Sequence, residues 1–340
     1  MKEAMFYQQL EGQKVQCTLC PHNCKLKPDQ IGICGVRQNI GGKLVSLVYE
    51  RAIAVHVDPI EKKPLFHVAP GSQSFSMATV GCNFECAFCQ NSDISQVPQS
   101  LNVAETGTLM SAQEIVSLAK RNNCRSIAYT YTEPTIYFEY AYDCCRLARK
   151  EELLNVFVTN GYINPEPLKT VAPYLDAANV DLKSFTDSFY HKLVGAKLEP
   201  VLSTLKLMKE LGIWIEVTTL VIPTKNDSDE ELRNIAGFIK NELGEETPWH
   251  ISRFYPQHNL NSVPPTPVST LSRAREIGLA EGLRYVYTGN VPGDEGESTF
   301  CYNCGKLLLK RYGFSVRDNH INDSKCEFCG IPIDGLALGG

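Results

Sequence analysis

Short apolar runs alternate with amphipathic stretches through the middle of this 340-residue chain. The runs 75–80, 126–131, 155–159, 178–181, 214–221 and 250–254 are rich in Val, Ile, Tyr and Phe and read as strands. Apolar positions at helical spacing fill the stretches 111–122, 135–150, 186–193, 199–211, 227–242 and 269–281. Ser111 followed three residues later by Glu114 is a capping-box signature for the first of these helices. Six βα units predict a parallel sheet with helices outside. A closed eight-unit barrel takes about 250 residues, so six units within residues 71–290 fit an open, partial (β/α)6 TIM-like barrel. A doubly wound flat sheet is the alternative that periodicity leaves open. Residues 1–70 and 291–340 fall outside this pattern, and each forms a small cysteine-bearing segment.

Cysteine usage changes the picture most. Of fourteen cysteines, eleven fall into three clusters, while Cys124, Cys144 and Cys145 stand apart in helix-like stretches and read as buried thiols. Cys82, Cys86 and Cys89 lie in TVGCNFECAFCQN, just after the first strand, where Gly81 lets the chain turn without a Cβ penalty. Iron–sulfur cubanes usually take four thiolates. Three local thiolates leave one iron free for a small chelating cofactor; a three-cysteine zinc site completed by a distant histidine is the rival. In the tail, Cys301, Cys304, Cys326 and Cys329 form two C-x2-C-G knuckles, which reads as a zinc ribbon or a rubredoxin-like iron site of structural role. Cys17, Cys20, Cys24 and Cys34 could close a structural metal site or hold a second cluster, and the metal is not identified by the spacing. His22 and His67 read as packed or exposed side chains rather than ligands.

Chemistry in parallel α/β folds gathers at the C-terminal ends of the strands. Those ends carry the cluster cysteines, then Thr132-Glu133-Pro134, Thr159-Asn160-Gly161, Asp181-Leu182-Lys183, the stretch from Thr218 to Pro223, and a sixth strand that begins with His250 and reaches Arg253. One polar end is unremarkable, because caps and turns need such residues. A polar group at nearly every end points to one shared site.

The cysteine run resembles the cluster loop of radical S-adenosylmethionine (SAM) enzymes. YTEP resembles their Gly-Gly-Glu-Pro segment, with Tyr131 and Thr132 in place of the two glycines, and DLK and TNG resemble segments of the pyruvate formate-lyase activating enzymes. CTLCPHNC, DPIEKKPLFHVAPGS, WHISRFYP and VYTGNVPG extend the similarity to the radical SAM member of the AmmeMemoRadiSam system. The resemblance implies the radical SAM core fold, a [4Fe–4S] cluster on Cys82, Cys86 and Cys89, and SAM held near Phe88, Glu133, Asn160, Asp181, Lys183 and His250. A carboxylate at Glu133 suits an ammonium, and Asp181 with Lys183 suits a ribose. The resemblance further implies an external one-electron donor and Memo-type and AMMECR-type partners. Within the same chemistry, the rival is a glycyl-radical enzyme activase; outside it, a metal-binding electron carrier or scaffold without SAM chemistry.

Charge adds one constraint. The formal net charge of −5 favours a protein or small-molecule substrate over bulk nucleic acid. No apolar run has transmembrane length and the start lacks an apolar signal region, so a cytoplasmic protein without membrane association is expected.

Overall fold

The computed structural model describes residues 1–96 and 101–339. Its centre is one eight-stranded sheet in consecutive order: β1 (Ala54–Pro59), β2 (Gln73–Ala78), β3 (Ser126–Tyr129), β4 (Leu154–Thr159), β5 (Ala177–Asp181), β6 (Trp214–Val221), β7 (Trp249–Arg253) and β8 (Val286–Gly289). β1 runs antiparallel to β2, and β2 to β8 are all parallel. The two edge strands β1 and β8 do not pair, so the barrel is open. All six expected strands form, and β8 adds a seventh parallel strand after the last helix. Strands such as LNVFVT and WIEVTTLV are buried along almost their whole length. That near-continuous burial belongs to a parallel sheet covered on both faces.

The outer layer is built from α1 (Ala112–Arg121), α2 (Phe138–Lys150), α3 (Pro165–Val171), α4 (Leu198–Glu210), α5 (Asp229–Phe238) and α6 (Val268–Ala280). The capping box at α1 is present in both directions: Glu114 N–H donates to Ser111 Oγ at 3.3 Å, and Ser111 N–H donates to Glu114 Oε2 at 2.7 Å. The α1 residues Ala112, Ile115, Val116 and Ala119 are buried, at the spacing of one helical face. The expected helix after β5 is broken, with Asp187–Phe189 passing into a wider turn over Tyr190–Val194. Cys124, Cys144 and Cys145 are buried as expected.

The N-terminal segment docks on α2. Strands Tyr7–Leu10, Lys14–Cys17 and Lys25–Leu26 make one small antiparallel sheet, and Lys2–Glu3, Lys43–Ser46 and Arg37–Ile40 make another. From the second sheet, the buried Arg37 reaches Glu139 of α2 with two hydrogen bonds of 2.6 and 2.9 Å. At the other end of the chain, β9 (Leu307–Tyr312) and β10 (Ser315–Asn319) form a hairpin over a small core of Leu308, Leu309, Ile321, Ile333 and Leu338. Arg311 ties the hairpin to the segment before β2 by donating to Phe66 O at 2.8 Å, and within the tail it donates to Thr299 Oγ1 at 2.7 Å. Among the described residues no helix is long and apolar enough to cross a membrane.

Candidate active site

The C-terminal ends of the parallel strands open into one cavity of about 490 Å³. Every parallel strand or the loop that follows it contributes: Cys82, Cys86 and Cys89 after β2, Glu133 after β3, Asn160 after β4, Asp181 and Lys183 at β5, Thr218 and Leu220 from β6, Ser252 from β7 and Asn290 after β8. A second cleft of about 500 Å³, lined by Arg275, Arg284 and Tyr302 among others, lies against the tail and carries none of these groups.

The cysteine loop leaves β2 through Gly81, whose φ of +97° is left-handed and suits glycine. Its thiols are already in polar contact. Phe84 N–H approaches Cys82 Sγ at 3.4 Å, Asn160 Nδ2 approaches the same sulfur at 3.8 Å, and Cys89 Sγ lies 3.1 Å from Ser95 Oγ. Burial pushes the Cys86 thiol up to about 12, against the opposing pull of the Lys183 ammonium. Burial, and then the nearby Glu133 carboxylate, push Cys82 well above its ordinary value.

Glu133 is buried at the cavity wall. Its Oε1 accepts from Thr135 N–H at 3.0 Å, Thr135 Oγ1 at 2.6 Å and Thr159 Oγ1 at 2.7 Å, and its Oε2 accepts from Asn160 N–H at 2.8 Å. Burial raises its pKa, while these donors oppose the rise. With one donor only, Oε2 retains acceptor capacity for a cationic ligand. Asn160 is a joint rather than a free group: Nδ2 donates to Asn83 Oδ1 at 2.8 Å, and Oδ1 accepts from Tyr162 N–H at 2.9 Å.

Asp181 and Lys183 form an ion pair of 3.1 Å at the cavity edge. Burial would lower the Lys183 pKa, but the Asp181 carboxylate and Cys86 sulfur outweigh it, so Lys183 remains a cation. Its ammonium lies 5.8 Å from the centre of the buried Phe88 ring. Two buried oxygens, Thr218 Oγ1 and Asn179 Oδ1, belong to cavity-lining residues and have no hydrogen-bond partner. Such groups cost free energy until a ligand or water meets them. Three thiols with no fourth cysteine on the wall, a carboxylate with spare capacity and unpartnered oxygens fit a cluster with an open iron and a polar nucleoside beside it.

His250 corrects an expectation. It is the second residue of β7 and lies one layer beneath the cavity, where Ser252 takes the lining position. Its Nε2 meets Glu216 Oε2 at 2.6 Å, and Glu216 also accepts from Phe66 N–H and His67 N–H at 2.9 and 2.8 Å. Burial alone would raise the Glu216 pKa, but His250 and these partners hold it below the ordinary range. His67 is engaged by Asp334 O and Tyr287 OH, both at 2.6 Å, and Arg253 Nε donates to Thr266 O at 2.8 Å outside the cavity wall.

Other lining residues were not among the expected site residues. Lys62 and Lys63 come from the N-terminal segment and Phe314 from the β9–β10 turn. Lys63 Nζ pairs with Asp58 Oδ2 at 2.7 Å, and Tyr131 OH donates to the same oxygen. Tyr131 adopts a left-handed φ of +62°, at a position where the resembling loops have glycine.

The tail cysteines converge tightly. Cys301 and Cys329 sulfurs are 3.7 Å apart, Cys304 and Cys326 sulfurs 3.8 Å, and all four lie within 4.8 Å of one another. Gly305 and Gly330 end the two knuckles at φ +69° and +74°. The four sulfurs could hold one metal ion in a closed shell. Cys17, Cys20, Cys24 and Cys34 line a separate small cavity with Arg37 and Asn83. His22, on the same wall, is bound through Nε2 to Asn83 O at 2.7 Å.

Comparison with known proteins follows the same lines. Residues 77–238 match the radical SAM superfamily. An uncharacterized protein of Methanocaldococcus jannaschii is 49% identical over 337 residues, covering 98% of this chain and 99% of its own. The pyruvate formate-lyase-activating enzyme of Clostridium pasteurianum is 23% identical, covering 50% of this chain and 72% of its own. Among solved structures, a radical SAM methyltransferase from Sphaerobacter thermophilus superposes with a TM-score of 0.52 at 18% identity, covering 70% of this chain and 71% of its own.

Proposed function

The chain belongs to the radical SAM superfamily, and on that premise we propose that it cleaves SAM reductively at the strand-end cavity and acts on a substrate presented by a partner protein. When bound, the [4Fe–4S] cluster and SAM supply a 5′-deoxyadenosyl radical able to take hydrogen from an unreactive carbon. The observation that carries this reading is the gathering of Cys82, Cys86, Cys89, Glu133, Asp181 and Lys183 in one cavity. In this reading the three thiolates hold the cluster, Glu133 Oε2 accepts from the ammonium of SAM, and the Asp181–Lys183 pair addresses the ribose. Phe88 offers an apolar face to the adenine. Asn160 is a positioning residue, since it ties the Cys82 loop to the end of β4.

Room favours a large substrate. A cavity of about 490 Å³ lies within the range of ordinary ligand pockets, about 300–1,000 Å³, and both an inorganic cube and a nucleoside must share it. The reacting carbon then enters from the open mouth, where Phe314 and Asn290 stand. Together with the sequence runs described above, this supports membership of an AmmeMemoRadiSam-type system with Memo-type and AMMECR-type partners. A second reading, glycyl-radical enzyme activase, is favoured by the similarity to the Clostridium pasteurianum activating enzyme. The tail set suits zinc in a structural role.

The test is anaerobic. Reconstituted, reduced protein with SAM should release 5′-deoxyadenosine, and the Cys82→Ala/Cys86→Ala/Cys89→Ala variant should not. A native protein that carries its full cluster complement yet never cleaves SAM, with or without Memo-type and AMMECR-type proteins, overturns the proposal. A glycyl-radical doublet by EPR on co-incubated candidate enzymes would select the activase reading.

A further inference from the structure

The segment between β1 and β2 forms the floor of the strand-end cavity. Pro64 O accepts from Asn179 Nδ2 at 2.7 Å, and Phe66 N–H and His67 N–H donate to Glu216. Asn179 and Glu216 are register partners on β5 and β6. Asn179 shares a strand face with Asp181 two residues on, a distance of about 7 Å at the usual rise per residue. The segment therefore crosses the barrel one layer beneath Asp181, and from it Lys62 and Lys63 line the cavity.

These two lysines share one carboxylate. Asp58 accepts from Lys62 Nζ at 2.9 Å, Lys63 Nζ at 2.7 Å, Ser76 Oγ at 2.9 Å and the Tyr131 hydroxyl. Four donors fill what a carboxylate can accept. The other acidic groups nearby are committed elsewhere. Glu61 holds Gly71 N–H at 2.8 Å and lies 3.7 Å from Arg311, and Asp181 pairs with Lys183. Two ammonium groups against one carboxylate leave a surplus of one positive charge.

That surplus is largely out of water. The Lys63 side chain is 2% exposed and that of Lys62 44%. Among the described residues Asp58 is the one hydrogen-bond acceptor of Lys63 Nζ. The Tyr131 ring, its centre 4.5 Å away, covers one side of the ammonium. An ammonium carries three donors, so Lys63 has donor capacity left on a cavity wall. Burial pulls its pKa down to about 8, with help from Lys62 and against the opposing pull of Asp58. An anion in the cavity would restore the charged form.

We propose that Lys62 and Lys63 form a subsite for a carboxylate of the substrate, at the cavity floor beneath the groups given to SAM. A surplus of one charge suits a carboxylate better than a phosphate dianion. Lys62, partly exposed, meets the incoming group; Lys63 holds it where the dielectric is low and the attraction strong. A free carboxylic acid and the acidic side chain of a presented polypeptide offer the same chemistry. That the bound acid is the substrate rests on the SAM-cleaving reading above, whereas carboxylate binding at the lysines does not.

The test is calorimetric titration of cluster-loaded protein, with and without SAM. The probes are propionate and propionamide, N-acetylglutamate amide and N-acetylglutamine amide, and inorganic phosphate. Each acid should bind about tenfold or more tightly than its amide, the worth of a charge-assisted contact. Tighter binding of propionate identifies a free acid as the source, and tighter binding of the blocked glutamate a polypeptide side chain. Lys63→Met should weaken acid binding about tenfold and Lys62→Gln several-fold, with the amides unmoved. Equal binding of acids and amides, or acid binding unchanged in both variants, overturns the subsite. Phosphate binding more tightly than either acid overturns the choice of a carboxylate. If Lys63→Met weakens SAM as much as it weakens the acids, the lysine serves the carboxylate of SAM and the substrate subsite falls. Should Lys63→Met fail to fold, Lys62→Gln at the partly exposed cation decides. A native protein that binds the acids yet neither binds nor cleaves SAM keeps the lysine site and overturns the SAM reading instead.

Discussion

Replacing Glu133 by glutamine separates a wall residue from a ligand-holding one. The carboxylate spends Oε1 on three donors from Thr135 and Thr159 and Oε2 on Asn160 N–H. A glutamine keeps most contacts by leaving its oxygen where the three donors meet. Its NH2 group then faces Asn160 N–H, donor against donor, and faces the place assigned to the ammonium of SAM. Leaving the Asn160 N–H unpaired should cost about 1–3 kcal/mol of stability. Losing a charge-assisted acceptor should cost SAM another 1.5–3 kcal/mol or so, roughly ten- to a hundredfold in Kd. Asp181→Asn is the comparison. Its side chain is 35% exposed, and solvent screens what the charge contributes, so its loss in affinity should be the smaller. Calorimetric titration of SAM into cluster-loaded protein, with thermal unfolding in parallel, measures both quantities. If Glu133→Gln lowers the melting temperature while the Kd for SAM stays within twofold of native, Glu133 is a structural carboxylate and the ammonium site lies elsewhere.

Three other outcomes are expected. Arg37→Met should destabilise the fold by about 3–5 kcal/mol, because it strands the buried Glu139 charge; denaturant unfolding compared with the Arg37→Met/Glu139→Leu double variant, which should recover most of the loss, checks this. For Asp58, burial alone would raise the pKa, but donors from Lys63, Tyr131 and Lys62 hold it well below the ordinary carboxylate range. A depressed folded pKa contributes stability that is complete above the unfolded value of about 3.9 and is lost as pH falls through the lower folded value; acid unfolding of native protein should therefore show a component that Asp58→Asn lacks. His250→Gln should lower stability through the buried Glu216 network and leave SAM affinity unchanged, so a Kd that weakens as much as in Glu133→Gln would return His250 to the cofactor site.

Much of the barrel was readable because its strands are buried on both faces and separated by amphipathic helices. β8 escaped because VYTG is four residues long and runs straight into the turn residues Asn290, Pro292 and Gly293. β1 escaped because the alternation Val55-His56-Val57-Asp58 is brief and its burial is inverted, with Val57 exposed and Asp58 buried. The gathering of Cys82, Cys86, Cys89 and Glu133 in one cavity was legible because strand-end position and motif spacing agree on them. His250 was misplaced because a strand's inward face has depth that residue type does not report: positions 250 and 252 share that face, and only the second reaches the cavity. The rule that chemistry lies at C-terminal strand ends would have preferred Ser252. Phe314 left no trace at all, since only the docking of the tail through Arg311 brings the β9–β10 turn to the mouth.

Tyr131 shows why the flanking segments belong to the site rather than decorate it. A bulky residue at φ +62° carries strain on the order of 1–3 kcal/mol, which glycine would avoid. The strain persists because its surroundings over-determine it. Asn91 Nδ2 donates to Tyr131 O at 2.7 Å from just beyond the cysteine loop, the Tyr131 hydroxyl donates to Asp58 of β1, and the Lys63 ammonium lies 4.5 Å from the centre of its ring. Asp58 in turn accepts from Ser76 of β2 at 2.9 Å and pairs with Lys62 at 2.9 Å. A glycine could shape the Glu133 loop as well, but it could not connect that loop to β1, β2 and the cysteine loop at once. The side chain thus fixes the carboxylate relative to the three thiolates through the N-terminal segment, and whatever holds that segment in place, Arg37 and its cysteine cavity included, also holds the geometry of the strand-end site.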